Sequence, residues 1–315
     1  MATVGLLAAL CGTGLARPAA AVTAIDDAGH RIELPTPAAR VITLSPALTE
    51  LVFAAGGGTR LVGAVDFSDY PEAARKIPRV GDALVLQMER ILALRPDLIL
   101  AWQQGNNPRQ LDRLEELGVP LFYSRIDRLE DVATTLERLG HLLGTPAAGA
   151  KAAGAFRERL AGLGGSDKPR EPGVTPPPSP SSTSSPSSPS SAPVRVLYQV
   201  WAKPLMTING GHVISDLIER CGGVNVFAAD SALVPQISIE AAIAAAPEAI
   251  IASGNSRLPQ GDTSLDHWRR YSSIPAVAND FLFLVDGDSI SRATPRSLDA
   301  GEAICSHLAK VRRSR

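Results

Sequence analysis

The sequence predicts an α/β protein of two similar halves joined by a helical segment. Three observations carry this. Short apolar runs of strand length alternate with helical stretches over residues 41–124 and again from 194 to about 310. Residues 129–163, between them, are helical in character, with apolar positions at Leu129, Val132, Leu136, Leu139, Leu142 and Leu143. One helix–proline–strand unit also recurs: Glu89 through Pro96 to Ala101 lines up with Glu240 through Pro247 to Ala252.

In chain order, VTAIDDAGHRIELP places two alternating runs around Asp26-Asp27-Ala28-Gly29, a β-hairpin pattern. VITLS (41–45) is a strand. Ser45-Pro46 starts a helix, with serine as N-cap and proline at the first helical position, and the helix runs through Glu50 to Gly56. LVGAV (61–65) is a second strand. MERILALRP (88–96) is a short helix stopped by Pro96, and DLILAW (97–102) a strand. A helix near 107–117 ends at Gly118, before the strand PLFYS (120–124). Gly144-Thr145-Pro146 interrupts the connecting segment, which is then one bent helix or two stacked ones. The second half repeats the scheme: VRVLYQV (194–200), a helix near 212–220, EAAIAAAP (240–247), EAIIAS (248–253), FLFLVD (281–286) and a last helix near 296–310. Strands and helices alternating in this way make largely parallel sheets covered by helices.

These elements divide the chain into a leader (1–21), a first α/β lobe (22–128), a helical bridge (129–163), an insert (164–193) and a second α/β lobe (194–315). Residues 176–193 are only Pro, Ser, Thr and Ala, which cannot bury a core and make a tether in an expanded surface loop. The apolar stretch 4–15 followed by Ala19-Ala20-Ala21 has the form of a secretory signal peptide cleaved near Ala21, although no basic residue precedes it. A buried N-terminal helix is the alternative.

With 315 residues, the chain is long enough for two cores. A formal charge of −1, becoming −2 once Arg17 leaves with the leader, argues against a nucleic-acid footprint. No apolar run reaches the ~20 residues of a membrane-spanning helix. Composition also excludes a collagen-like or coiled-coil fibre and a fully disordered chain. Removal of the leader takes Cys11 and leaves Cys221 and Cys305, 84 residues apart. In an exported protein they are candidates for one disulfide, worth at most roughly 4–5 kcal/mol. Two buried free thiols are the alternative.

Signatures of catalysis are weak. Gly56-Gly57-Gly58 follows a helix, where glycines cap, rather than a strand, where they would cradle phosphate. Gly287-Asp288-Ser289 is similar to the GDS block of a lipase/esterase family. However, Ile290 replaces its leucine, and Asp299 and His307 are eight residues apart rather than three. A hydrolase using Ser289 is therefore a remote reading. His30, His141, His212, His267 and His307 are scattered without metal-ligand spacing, so no metal or catalytic residue is expected.

Three segments of the first half, RVITLSPALTELVFAAG (40–56), FSDYPEAARKIPRVGD (67–82) and MERILALRPDLILAW (88–102), together resemble the periplasmic substrate-binding proteins of ABC importers for vitamin B12, haem and siderophores. CGGVNVF (221–227), PQISIEAAIAAAPEAIIAS (235–253) and DSISRATPR (288–296) agree, so the likeness runs from about residue 40 to 310. Within the family the cobalamin members are nearest.

The resemblance implies two α/β lobes bridged by a long helix, with ligand held in the interlobe cleft and handed to an inner-membrane permease with its ATPase subunits. It implies no enzymatic activity and no catalytic cofactor, and a protein that is monomeric when free and lives in the periplasm. It pairs Cys221 with Cys305. It assigns ligand contact to Phe67, Trp102, Trp201, Met206 and the run Asp288, Ser289, Ile290, Ser291 and Arg292, and permease docking to Glu89 and Glu240. Both glutamates lie at helix N-termini, where the dipole favours a carboxylate by ~0.3–1 kcal/mol. A corrin, flat and largely apolar with an amide rim, wants aromatic walls and a few polar groups. Ala83, Val234 and Ser289 stand where the family often has aromatics, so this cleft is expected to be less aromatic. Haem or a siderophore on the same scaffold is the second expectation. Haem would need an axial donor, for which Tyr70, Tyr198 and His212 are the candidates.

Overall fold

A computed structural model describes residues 21–164, 192–254 and 264–315. The leader and most of the Pro/Ser insert lie outside these residues. The N-terminal hairpin pairs β1 (Val22–Ile25) with β2 (Arg31–Leu34) antiparallel. Asp26 fixes its turn, accepting from the Ala28 and His30 amides at 3.0 and 2.7 Å, and its other oxygen ties the hairpin to Tyr123 N at 3.1 Å.

The first lobe follows as β3 (Val41–Thr43), α1 (Pro46–Ala54), β4 (Leu61–Ala64), α2 (Met88–Ala93), β5 (Leu98–Trp102), α3 (Pro108–Glu116) and β6 (Leu121–Ser124). Its sheet is parallel throughout, in the order β4-β3-β5-β6. Ser45 caps α1 as its sequence predicts, the hydroxyl accepting from Leu48 N at 3.2 Å. The bridge is α4 (Leu129–Leu142) and α5 (Pro146–Gly162). The second lobe comprises β7 (Val194–Gln199), the small hairpin β8 (Trp201–Ala202) and β9 (Leu205–Met206), α6 (Val213–Arg220), β10 (Gly223–Asn225), α7 (Ile239–Ala244), β11 (Ala249–Gly254), α8 (Pro275–Ala278), β12 (Leu282–Asp286), α9 (Gly287–Ile290) and α10 (Ser297–Arg313). Its parallel sheet runs β10-β7-β11-β12, the same order as in the first lobe.

The repeat seen in the sequence extends to individual bonds. Both α2 and α7 are followed, just before the proline, by a residue with left-handed backbone, Arg95 (φ 45°) and Ala246 (φ 43°). An arginine from the first strand's edge then covers the helix's last carbonyls: Arg40 donates to Leu94 O, and Arg195 to Ala245 O. The following acid accepts that arginine's own amide, Asp97 from Arg40 N at 2.9 Å and Glu248 from Arg195 N at 3.0 Å.

Of the two forms open to the bridge, the chain adopts two helices packed antiparallel, each reaching both lobes. The N-terminus of α4 lies against the second lobe, with Leu129 N donating to Asp216 of α6 at 2.8 Å. Its C-terminus lies against the first, where Leu142 O accepts from Ala38 N at 2.8 Å. There α5 starts, Thr145 donating to Ala55 O at 2.7 Å. It ends against α10, where Arg159 contacts Asp299 and Glu302 at 2.8 and 2.7 Å. The two helices approach closely enough that a Cβ on Gly149 would sit 2.6 Å from Leu136 O and 2.9 Å from Gly140 Cα, so only glycine fits there.

Each sheet is buried on both faces. The outer face of the first is covered by a cluster around Ile42, Ile91, Ile99 and Leu114, and that of the second by one around Leu197, Ile250 and Trp268. The inner faces share a single cluster that runs from Leu51 and Leu100 through Leu136, Leu139 and Phe156 of the bridge to Leu217, Ile251 and Leu308. Cys221, at the end of α6, is bonded to Cys305 of α10, as the resemblance implied. Among the described residues no helix is long and apolar enough to cross a membrane.

Candidate functional site: an interlobe cleft

The carboxyl ends of both sheets open onto one cleft of about 550 Å³. Such a sheet edge is where ligands bind in parallel α/β structures. Two helix N-termini face it, Ser45–Leu48 at the start of α1 and His212–Ile214 at the start of α6. Leu51, Trp102, Ile126, Val200, Val234 and Ile290 supply apolar wall. Gln104, Asp127, Tyr198, Ser253, Ser291 and Arg292 supply polar groups.

Of the residues singled out from sequence, Trp102, Ile290, Ser291 and Arg292 meet on this wall. Trp102 is 41% exposed and its indole lies directly on the backbone of Gly105, where a Cβ would come within 2.1 Å of the ring. Phe67 is not part of the lining; it is 76% exposed, and its carbonyl accepts from Arg292 Nη2 at 3.2 Å. Asp288 pairs with Arg292 at 3.7 Å. Ser289 is buried within α9, its hydroxyl donating to Asp286 O at 3.1 Å. Trp201 and Met206 sit opposite each other on the β8–β9 hairpin, outside the wall. There Val200, one residue earlier and so on the other side of the chain, faces the cleft. Of the positions where the family often carries aromatics, Val234 does line the cleft.

Several residues that build the site carry no sequence pattern. Asn106 is buried, accepting from Trp102 N at 2.6 Å and donating to Leu44 O and Ala83 O at 2.8 and 2.9 Å. It thereby locks together three segments of the first lobe's edge. Below the start of α1, Thr49 bonds both Thr43 (2.6 Å) and Ser68 (3.0 Å). Glu50, on the same helix, accepts from Arg292, Arg296 and Thr294 at 2.9, 3.2 and 3.0 Å, joining the two lobes beside the cleft.

The cleft's titratable groups are tuned by burial. His212 is the N-cap of α6, and its Nδ1 accepts from Ile214 N at 3.2 Å. The backbone amide can only donate, so the ring's proton is on Nε2. Burial pushes this imidazole below its ordinary range, against the pull of the Asp127 carboxylate. Burial likewise pushes the Tyr198 hydroxyl up, although its bond to Ser253 acts in the opposite direction. His267 and His307 are also lowered, chiefly by burial. For a histidine lowered in the fold, the unfolded chain takes up the proton first, at the ordinary value of about 6.5. The stabilisation is complete above that value and is lost as pH falls through the lowered one. Melting temperature should therefore drop on acidification from about pH 7 to 5, and His212→Asn, which can still cap α6, should make that slope shallower. An unchanged slope in thermal melts would assign the acid sensitivity to His267 and His307.

Two parallel-sheet lobes on a helical bridge, with a largely apolar cleft between them at the carboxyl ends of both sheets, have the form of a ligand-binding protein. The chain belongs to the periplasmic binding protein family, whose model matches residues 41–166 and 183–288. It is 36% identical over 275 residues to the vitamin B12-binding protein of Vibrio cholerae serotype O1, covering 87% of this chain and 90% of that one. The crystal structure of the periplasmic vitamin B12 binding protein BtuF of Vibrio cholerae superposes with a TM-score of 0.74 at 36% identity, over 89% of this chain and 99% of that one. The periplasmic haem-binding protein HutB of Vibrio cholerae shares the fold, with a TM-score of 0.68 at 19% identity over 85% and 98% of the two chains. The protein is thus a non-enzymatic substrate-binding component of an ABC importer, with a permease as its partner.

Proposed function

We propose that the protein binds cobalamin or a related corrinoid in the interlobe cleft and delivers it to the permease, after export and removal of the leader near Ala21. The observation that carries this is the charge of the cleft. Among the described residues lining it, Arg292 is the one arginine or lysine, and it is held by Glu50, Asp69 and Asp288 at 2.9, 3.4 and 3.7 Å. Asp127 adds a carboxylate to the wall. Haem carries two propionates, and the one lining arginine, already held by three carboxylates, leaves them no cationic side chain to spare. The uncharged amides of a corrin need only hydrogen-bonding groups, and Gln104, Ser124, Ser253 and Ser291 are such groups.

The axial donors argue the same way. His212 Nδ1 is occupied by Ile214 N, and its Nε2 bears the proton an iron would have to displace. Tyr198 is buried, with its ionisation pushed upward. Tyr70 lies outside the wall, beneath the Arg296 guanidinium at 4.1 Å. The 36% identity to vitamin B12-binding proteins supports the same reading.

Titration of the mature protein with cyanocobalamin and with hemin, followed by absorbance and calorimetry, tests it. A response to cyanocobalamin is expected, and a response to hemin alone would overturn the reading. Trp102→Ala should weaken corrinoid binding by ~1–3 kcal/mol, because it strips the flat wall resting on Gly105. Unchanged affinity in calorimetry would remove Trp102 from the contact surface.

A further inference from the structure

We propose that Glu50 is a positioning residue of the ligand site: its buried carboxylate latches the second lobe's cleft wall, residues 290–293, to the first lobe and so sets the gap between them. This rests on the reading that ligand occupies the cleft. Glu50 is 4% exposed on α1, between Leu48 and Leu51, which line the cleft. None of its three partners belongs to its own lobe. Oε1 takes Arg292 Nη1 at 2.9 Å and Arg296 Nη1 at 3.2 Å, and Oε2 takes the Thr294 hydroxyl at 3.0 Å. Thr294 is fully buried, so both carboxylate oxygens are engaged in a site shielded from water.

The latch is reinforced from the first lobe. Asp69 and the Phe67 carbonyl meet Arg292 at 3.4 and 3.2 Å, and the Tyr70 ring lies under Arg296. Ile290, Ser291, Arg292 and Ala293 all line the cleft, so the segment that Glu50 holds is the segment that would touch the ligand. A buried ion pair is a poor source of net stability but a strict one of geometry, since removing one partner strands the other. The bridge and its shared core hold the lobes together at the back, and Glu50 is a buried charge that joins them beside the cleft.

Glu50→Gln keeps the size and loses the charge, leaving two arginines facing a neutral amide. Nitroxide labels on the exposed positions of a Glu116→Cys/Ala241→Cys background report the interlobe distance in ligand-free protein, and stopped-flow absorbance reports cyanocobalamin release. The expected result is a broadened interlobe distance distribution well below the melting temperature, with cyanocobalamin released about tenfold to a hundredfold faster and association changed far less. Thr294→Val/Arg296→Gln, which leaves Glu50 paired with Arg292, is read in parallel and should move both readouts the same way by a smaller amount. A purely structural role would lower the melting temperature while leaving distance and release rate as in wild type, and that result overturns the proposal. Absence of cyanocobalamin binding in the wild type would end the ligand assignment alone, with the interlobe distance still deciding the latch.

Discussion

Replacing Cys221 and Cys305 together with serine is expected to lower the unfolding free energy by about 2–5 kcal/mol while ligand affinity stays as it was. The bond closes a loop spanning 84 positions and pins the end of α6 to α10. Without it the unfolded chain regains the freedom that the loop removed, and the folded chain places a hydroxyl at position 221, which is 2% exposed. Cys221 Sγ now lies 3.3 Å from Gly301 O, so a serine there would keep an acceptor within reach and the loss should stay inside that range. Neither cysteine lines the cleft. Urea unfolding of the double variant, beside wild type with and without reductant, checks this. Coincident midpoints would mean that the apolar contacts of Leu217, Ile304 and Leu308 hold the two helices unaided.

The second large effect is expected in transport. Glu89→Ala combined with Glu240→Ala should reduce ligand uptake in cells by about tenfold or more while calorimetry on the soluble protein gives wild-type binding. The two glutamates occupy matching first-turn positions on α2 and α7, the pair of helices related by the repeat, and both are exposed. Glu240 is kept below the usual carboxylate range by its own backbone amide and then by the Ser238 hydroxyl, so it is charged at neutral pH. One charge on each lobe would give a docking partner two fixed points, which would set orientation and speed encounter. Loss of soluble binding in the double variant would place both residues in the ligand site instead, and full uptake would remove them from docking.

Local signals made much of the scaffold readable. Ser45-Pro46 announces α1, Pro96 and Pro247 stop the paired helices, and the apolar runs at 41–45, 61–65, 97–102, 120–124, 194–200, 248–253 and 281–286 became strands of the two parallel sheets. That Trp102 would reach the cleft wall was legible because a strand's carboxyl end is a defined place in such folds. Trp201 shows the limit: strand-end position is set by sequence, but the side a residue faces changes with every step, and Val200 took the cleft. Glu50 was hidden for a different reason. A lone acid in an apolar helix has no periodic signature, and its partner Arg292 is 242 positions away. Asn106 and the capping role of His212 are likewise consequences of three-dimensional contact that no spacing rule announces.

The apolar cluster that passes unbroken from Leu51 through Phe156 to Leu308 has one more consequence. A binding protein whose halves had separate interiors could swing wide to shed its cargo; here any such swing would drag oily surface into water. Wide opening of the halves is thereby opposed by the same oily seam that joins them, and any movement at the mouth is left to small local yielding.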